Sequence, residues 1–279
     1  MIRRSTEIMR YVFVSDIHGC YNKLIAELQR VGFDKEKDTL VSVGDPFDRG
    51  LENHMVLEFL MNLPHRIIIW GNHDARLNEL LSHKDSWNQY DLQNGTDETV
   101  LNWAEAKYFG EALRELMTPT KDTTKCRLEL WEQYKKEAVW AIEFKDLIAV
   151  HAWLPCKTSI DKWGWQFEIS VLNENWRTAY YLEWYDSSWG NTETRISAGL
   201  FPEKTLLIGH WHAWRLAERF LKETRVIKQP HSQQINCDMV QLGDKVIAID
   251  GCSNWPAGGC VNAYVYETDE EPIKYFAKM

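Results

Sequence analysis

Six cysteines, at positions 20, 126, 156, 237, 252 and 260, include no C-x-x-C pair. That spacing excludes a zinc knuckle and a thioredoxin-type redox motif. It leaves small apolar thiols, reduced in a cytoplasmic compartment, as the expectation. No apolar run approaches the ~20 residues that span a bilayer, so no membrane association is expected. The longest compact one, Ile67-Ile68-Ile69-Trp70, is strand-sized. No signal peptide is read, because Asp16 and His18 interrupt the apolar stretch that follows Arg3 and Arg4. Basic charge is also scarce: 32 Lys and Arg stand against 41 Asp and Glu, a net charge of −9. Nucleic acid is therefore not an expected partner, since gripping a phosphate backbone needs clustered Lys and Arg. Internal repeats and low-complexity linkers are missing too. What is present is globular in balance, with 44% hydrophobic and 26% charged residues over 279 positions, and it is rich in tryptophan, with 14.

The first 75 residues alternate. Tyr11–Val14, Leu40–Val43 and Ile67–Trp70 are β-branched or aromatic and predict buried strands. Between them, Leu24, Leu28 and Val31, closed by Gly32, and then Val56, Phe59, Leu60 and Leu63, stopped by Pro64, recur at helical spacing. Strand–helix alternation at this pitch predicts βαβ units and a sheet that begins parallel. Residues 75–138 predict a helical insertion. Strands are expected again at 140–144, 147–150, 205–208, 245–249 and 261–266, and an acidic, solvated stretch at 267–272. The two insertions, 75–138 and 156–200, read as elaborations of one domain.

The polar residues fall at the strand ends. Asp16-Ile17-His18-Gly19 follows the first strand, Gly44-Asp45-Pro46-Phe47-Asp48-Arg49-Gly50 the second, and Gly71-Asn72-His73-Asp74 the third. His151 follows the strand ending at Val150, and Gly209-His210-Trp211-His212 follows the strand at 205–208. Ligands of open α/β sheets bind beyond the carboxyl ends of the strands, so these five clusters are expected to converge on one crevice. Any one of them arises easily by chance; five in order do not. Asp, His and Asn offer oxygen and imidazole nitrogen without thiolate, a donor set suited to Mn²⁺, Fe or Zn²⁺. Two pockets can be drawn, one from Asp16, His18 and His212 and one from Asn72, His151 and His210, with Asp45 bridging. Two divalent ions against two aspartates leave a surplus of two positive charges, which matches a phosphate dianion.

On these motifs (SDIHG at 15–19, GDPFDRG at 44–50, GNHD at 71–74, VHA at 150–152, GHWH at 209–212), the sequence resembles the calcineurin-like metallophosphoesterases. It looks closest to the serine/threonine phosphoprotein phosphatases of bacteria and phage. The resemblance implies a four-layer α/β sandwich, two mixed β-sheets flanked by helices, and a dinuclear hydrolase in which a metal-bridging hydroxide attacks phosphate. It implies Asp16, His18, Asp45, Asn72, His151, His210 and His212 as ligands of two divalent metal ions, Mn²⁺ first. It makes His73 the general acid, Asp48 the residue that orients it, and Arg49 a clamp on phosphate oxygens. A second phosphate-binding arginine is expected from Arg76, Arg195 or Arg215, with Arg76, two residues beyond GNHD, slightly preferred. Three departures stand out. Pro46 stiffens its loop, Trp153 puts a large ring where small residues are common and where it could narrow the site, and GHWH mixes the wider superfamily's signature with the DRG of protein phosphatases.

The implied substrate is a phosphorylated protein or small phosphoester, hydrolysed as a monoester. The alternatives are a dinucleoside polyphosphate, another nucleotide or a diester, and, more remotely, a non-catalytic scaffold. Six tryptophans (Trp153, Trp163, Trp165, Trp176, Trp184 and Trp189) and three tyrosines cluster in or beside the second insertion. They predict the insertion's own core ahead of a cap that stacks on a base. Pro256-Ala257-Gly258-Gly259 reads as a turn.

Overall fold

The computed structural model describes residues 8–82, 87–160, 166–173, 175–188, 192–220, 222, 224–227, 238–254 and 259–276, with the side chains of 157–172 and 181–183 left aside. In chain order, the elements begin with β1 (Met9–Val14), α1 (Tyr21–Arg30), β2 (Thr39–Val43), α2 (Asn53–Asn62), β3 (Arg66–Ile69) and α3 (Asn72–Ser82). Four helices follow, α4 (Gln89–Gln93), α5 (Thr96–Ala104), α6 (Phe109–Met117) and α7 (Asp122–Glu137). Then come β4 (Ala141–Glu143), β5 (Leu147–Val150), β6 (Cys156–Ile160), β7 (Gln166–Leu172), α8 (Tyr181–Ser188), α9 (Thr192–Ser197) and β8 (Thr205–Ile208). The chain ends with α10 (Ala213–Arg219), β9 (Thr224–Ile227), β10 (Met239–Leu242), β11 (Val246–Ala248), β12 (Ala263–Thr268) and β13 (Ile273–Tyr275).

Two mixed sheets form. The first has the order β12-β1-β2-β3, with β1, β2 and β3 parallel and β12 antiparallel to β1. The second has the order β13-β4-β5-β8-β11-β10-β9, with β5, β8 and β11 parallel at its centre. Period-two alternation sorts each strand's side chains between two faces. Tyr11, Phe13, Val41, Val43, Ile67 and Ile69 meet Ile142, Phe144, Ala149, Leu207 and Ile247 between the sheets. The opposite faces of β1, β2 and β3 (Val12, Val14, Leu40, Ile68) pack on helix residues such as Leu24, Val56 and Leu60. The outer face of the second sheet, including Ile148, Val150, Leu206 and Ile208, packs on Trp153, Trp184 and Leu216. The result is four layers, with each fully buried Ile, Leu or Phe contributing about 1.5–3 kcal/mol.

Local signals explain most boundaries. Leu24 and Leu28 bury one face of α1, and Gly32 at φ 64° ends it while Phe33 N–H donates back to Leu28 O at 2.9 Å. The region 75–138 is helical as expected. Five strands were not foreseen. β9 and β10 are short, with half-polar sequences, and they pair antiparallel at one edge of the second sheet. β13 lies just beyond the acidic stretch, of which residues 269–271 are exposed, and pairs with β4 at the other edge. The second insertion, which shows little periodicity, holds the antiparallel pair β6–β7. Trp176 and Trp184 are buried in the cluster on the outer face of the second sheet, so among the described residues these rings form core. Trp153 is also fully buried there, donating from Nε1 to Leu200 O at 3.2 Å. The narrowing of the site anticipated from this ring is therefore corrected. Trp163, Trp165, Trp189 and the turn at 256–258 lie outside the described residues.

Candidate metal centre and active site

The loops that leave β1, β2, β3, β5 and β8 meet where the two sheets' carboxyl ends adjoin. Their backbones are unusual. Six of the eight non-glycine residues described with positive φ are Asp16, His18, Asp45, Asp48, Arg49 and His210. Such conformations cost of order 1–3 kcal/mol each and persist only where surrounding contacts enforce them. Here those contacts are hydrogen bonds between loops: Asp16 N–H donates to Gly44 O and His18 N–H to Asp45 O, both at 3.1 Å. Gly44 sits at φ 82° against the ring of His151, where a Cβ would collide with the imidazole.

The histidines are aimed by their own ring nitrogens. His18 Nδ1 lies 2.8 Å from Phe47 O, His151 Nδ1 2.8 Å from Val43 O, and His212 Nδ1 2.9 Å from Asp250 Oδ2. Each anchor accepts a hydrogen bond from Nδ1 and turns Nε2 toward the cluster, the arrangement found around metal-ligating histidines. The carboxylates divide their oxygens in the same way. Asp45 Oδ1 accepts from His73 N–H at 3.0 Å, while Oδ2 faces His151 Nε2 at 3.2 Å and His73 Nε2 at 3.9 Å. Asp16 Oδ2 accepts from His210 N–H at 2.8 Å and from Ser15 Oγ, while Oδ1 lies 3.9 Å from His18 Nε2. Asn72 Oδ1 is 2.9 Å from His151 Nε2.

Among the described residues, donor atoms lie within 4.8 Å of one another in three sets: His18 with Asp45 and His73, Asp45 with His151 and His210, and His212 with Asp250 and Cys252. Asp45 is common to two of them, and one of those two includes His73. Electrostatics point the same way. Burial, and then Asp250, push the Asp16 carboxyl up to about 8. Burial opposes protonation of His151, but Asp45 and Asp16 outweigh it and hold the ring cationic up to about 10. Burial drives His210 down to about 3 and His18 well below its usual range. Buried carboxylates in want of a cation, beside the neutral imidazoles of His18 and His210, are a donor set that fits divalent metal ions.

Beside this cluster stands a second constellation. His73 Nδ1 is 2.7 Å from Asp48 Oδ2, and His73 Nε2 is 3.1 Å from Arg49 Nη2. Asp48 is held in turn by α5: Thr96 Oγ1 donates to Oδ2 at 2.9 Å and Thr99 Oγ1 to Oδ1 at 2.7 Å. The helical insertion therefore braces the residue that would orient His73. A cavity of about 300 Å³ opens over the cluster, and Tyr90, Asn94, Trp211 and Arg215 join Arg49, His73 and the candidate ligands other than His151 in its wall. Arg76 is not in that wall. Its guanidinium is spent on Asp91 at 2.8 and 3.0 Å and on Glu79 at 3.0 Å, clipping α3 to α4. Arg195 is also outside, donating to Leu154 O at 3.3 Å.

Calcineurin-like phosphoesterase is the description of the family model that matches this sequence, over residues 9–226. The chain belongs to that family. Calcineurin-like phosphoesterases are hydrolases that use divalent metals, and the helix-flanked pair of mixed sheets is their architecture. Among curated relatives, the symmetrical bis(5'-nucleosyl)-tetraphosphatase of Shewanella frigidimarina is 27% identical over 232 residues, which cover 74% of this chain and 85% of that protein. Serine/threonine-protein phosphatase 2 of Salmonella typhimurium is 42% identical over 72 residues, 25% of this chain and 33% of that one. Among solved structures, a metallophosphoesterase from Sphaerobacter thermophilus aligns over 98% of this chain and 89% of its own, with 13% identity and a TM-score of 0.43.

Several site residues carried no prior expectation. Asp250 follows β11, so the strand-end rule that located the others reaches it as well. Asp74, whose Oδ2 accepts from Gly71 N–H at 2.9 Å and Asp45 N–H at 3.1 Å, ties two of the motif loops together. Thr96 and Thr99 had no signal, being polar residues on a helix nearly fifty positions from their partner.

Proposed function

We propose that this phosphoesterase hydrolyses phosphate monoesters with two divalent ions, Mn²⁺ first, held by Asp16, His18, His212, Asn72, His151 and His210 with Asp45 shared. The observation that carries the reading is the Asp48–His73–Arg49 chain set against the ligand cluster. Bound metals would supply Lewis acidity and a water acidified toward neutrality. The protein's own groups do the rest. Arg49 presents a planar fork that matches two phosphate oxygens. His73 is placed to hand a proton to the departing oxygen, while Asp48 at Nδ1 keeps the ring turned.

A second reading, cleavage of a dinucleoside polyphosphate, draws support from the cavity wall. Trp211 and Tyr90 offer aromatic faces beside the cluster, and the relative aligned over most of both chains is a tetraphosphatase. The test is a side-by-side assay of Mn²⁺-loaded protein on a phosphoserine peptide, p-nitrophenyl phosphate and diadenosine tetraphosphate, repeated with His73→Asn. Wild type should cleave at least one of them. The variant should lose about 10²–10⁴ in turnover on the peptide, whose alkoxide needs a proton, and far less on p-nitrophenyl phosphate. Equal losses on both esters would remove His73 from the role of acid.

A further inference from the structure

We infer that Arg215 is a specificity-determining residue that binds a second phosphate, adjacent to the one attacked, and so favours polyphosphate esters over simple monoesters. The inference rests on the phosphoester-hydrolase reading above and deepens it. Arg215 lies on α10, one turn beyond His212, and lines the same cavity as Arg49. The two guanidiniums arrive from different sheets, Arg49 on the loop after β2 and Arg215 after β8.

Their partners differ. Arg49 already sits 3.1 Å from His73 Nε2, where the reacting phosphate must meet its acid. Arg215 has no carboxylate partner among the described residues. It rests instead on indoles, its guanidinium carbon 5.7 Å from the Trp211 ring centroid and 5.5 Å from that of Trp214. Trp211 is itself tethered, Nε1 donating to Glu193 Oε1 on α9 at 3.2 Å. A guanidinium held near two indole rings, one of them tethered, is pre-oriented, and among the described residues no carboxylate takes its N–H fork. The contrast with Arg76, neutralised by Asp91 and Glu79, shows how this chain treats an arginine used for structure. A cationic fork with no carboxylate partner among the described residues, in the wall of the cavity over the candidate metal cluster, is placed for another anion. The reacting phosphate already has Arg49 and the metal cluster, so the anion that remains is its neighbour along a phosphate chain.

The experiment compares wild type, Arg215→Ala and Arg215→Lys, all metal-loaded, on diadenosine tetraphosphate and p-nitrophenyl phosphate. Binding of inorganic tripolyphosphate and orthophosphate is titrated calorimetrically in parallel. The expected result for Arg215→Ala is a KM on the tetraphosphate raised on the order of tenfold more than KM on the monoester, as for loss of one charge-assisted contact. Turnover at saturation should move little, Arg215→Lys should recover part of the loss, and tripolyphosphate binding should weaken more than orthophosphate binding. Equal changes on both substrates would overturn the inference, because Arg215 would then serve the reacting phosphate itself. If wild type cleaves neither ester, the hydrolase reading fails separately. The binding arm still decides for Arg215: a tripolyphosphate preference untouched by Arg215→Ala overturns it.

Discussion

Asp250 shows how much a single side chain behind the cluster can matter. Its carboxylate, buried yet held below the ordinary carboxylate range by its hydrogen bond to His212, fixes that ring and also accepts from Cys252 N–H at 2.8 Å. Asp250→Asn keeps the shape and removes the charge that strengthens His212 as a donor. We expect metal affinity to fall on the order of tenfold or more, the usual effect of losing a partner behind a ligating histidine. Competition with a chromophoric chelator measures it, and an affinity equal to wild type would deny Asp250 that role. At this scale the sequence was informative wherever a residue followed a strand. Asp16, His18, Asp45, Asn72, His151, His210 and His212 were placed together by position alone, and Asp250 obeys the same rule after a strand whose end was foreseen. Arg76 and Arg215 could not be separated in that way. Whether an arginine is neutralised depends on side chains from other elements, such as Asp91 on α4, and no local pattern reports that.

Among the elements, the central strands announced themselves through β-branched runs, and the edges of the second sheet did not. β13 reads as Ile-Lys-Tyr after an acidic stretch, yet it closes the second sheet because of Glu143 on the neighbouring β4. That carboxylate is only 4% exposed, accepts from Arg177 at 2.6 and 2.9 Å and from Tyr275 Oη, and pairs with Lys204 Nζ at 2.7 Å. It thereby joins β13, β4 and the second insertion. Burial would raise its pKa, but Arg177 and Lys204 outweigh burial and bring it down to about 2 from an ordinary 4.5. A depressed carboxylate stabilises the fold in full above its unfolded value and loses that contribution as pH falls toward its folded one. Glu143→Gln should therefore cost about 1–2 kcal/mol at pH 7, discounted because Arg177 is partly exposed, and lower Tm by a few degrees. The gap to wild type should narrow between pH 4.5 and 2. Urea unfolding at pH 7 and pH 3 checks this, and a gap of the same size at both values would contradict it.

For the molecule as a whole, the candidate centre sits on the seam between the two sheets. Asp16, His18, Asp45 and Asn72 belong to the first, and His151, His210, His212 and Asp250 to the second. Without cations the seam brings buried carboxylates together, and their mutual repulsion contributes to the raised Asp16. Metal ions bound there would join the sheets as well as serve chemistry, and anything that binds only the folded state stabilises it by mass action. At a free Mn²⁺ concentration a hundred times its dissociation constant, one site adds about 2.7 kcal/mol, which corresponds to roughly 5–10 °C in Tm for a chain of this size. Stripping the protein with a chelator should therefore lower Tm by at least that much and abolish phosphate release, and Mn²⁺ should restore both over one concentration range. Asp45→Asn should blunt both effects together, since Asp45 belongs to two of the donor sets. If the stripped protein melts where the loaded one does, the seam is held by apolar packing alone, and the cluster is not the cation site its donor atoms describe.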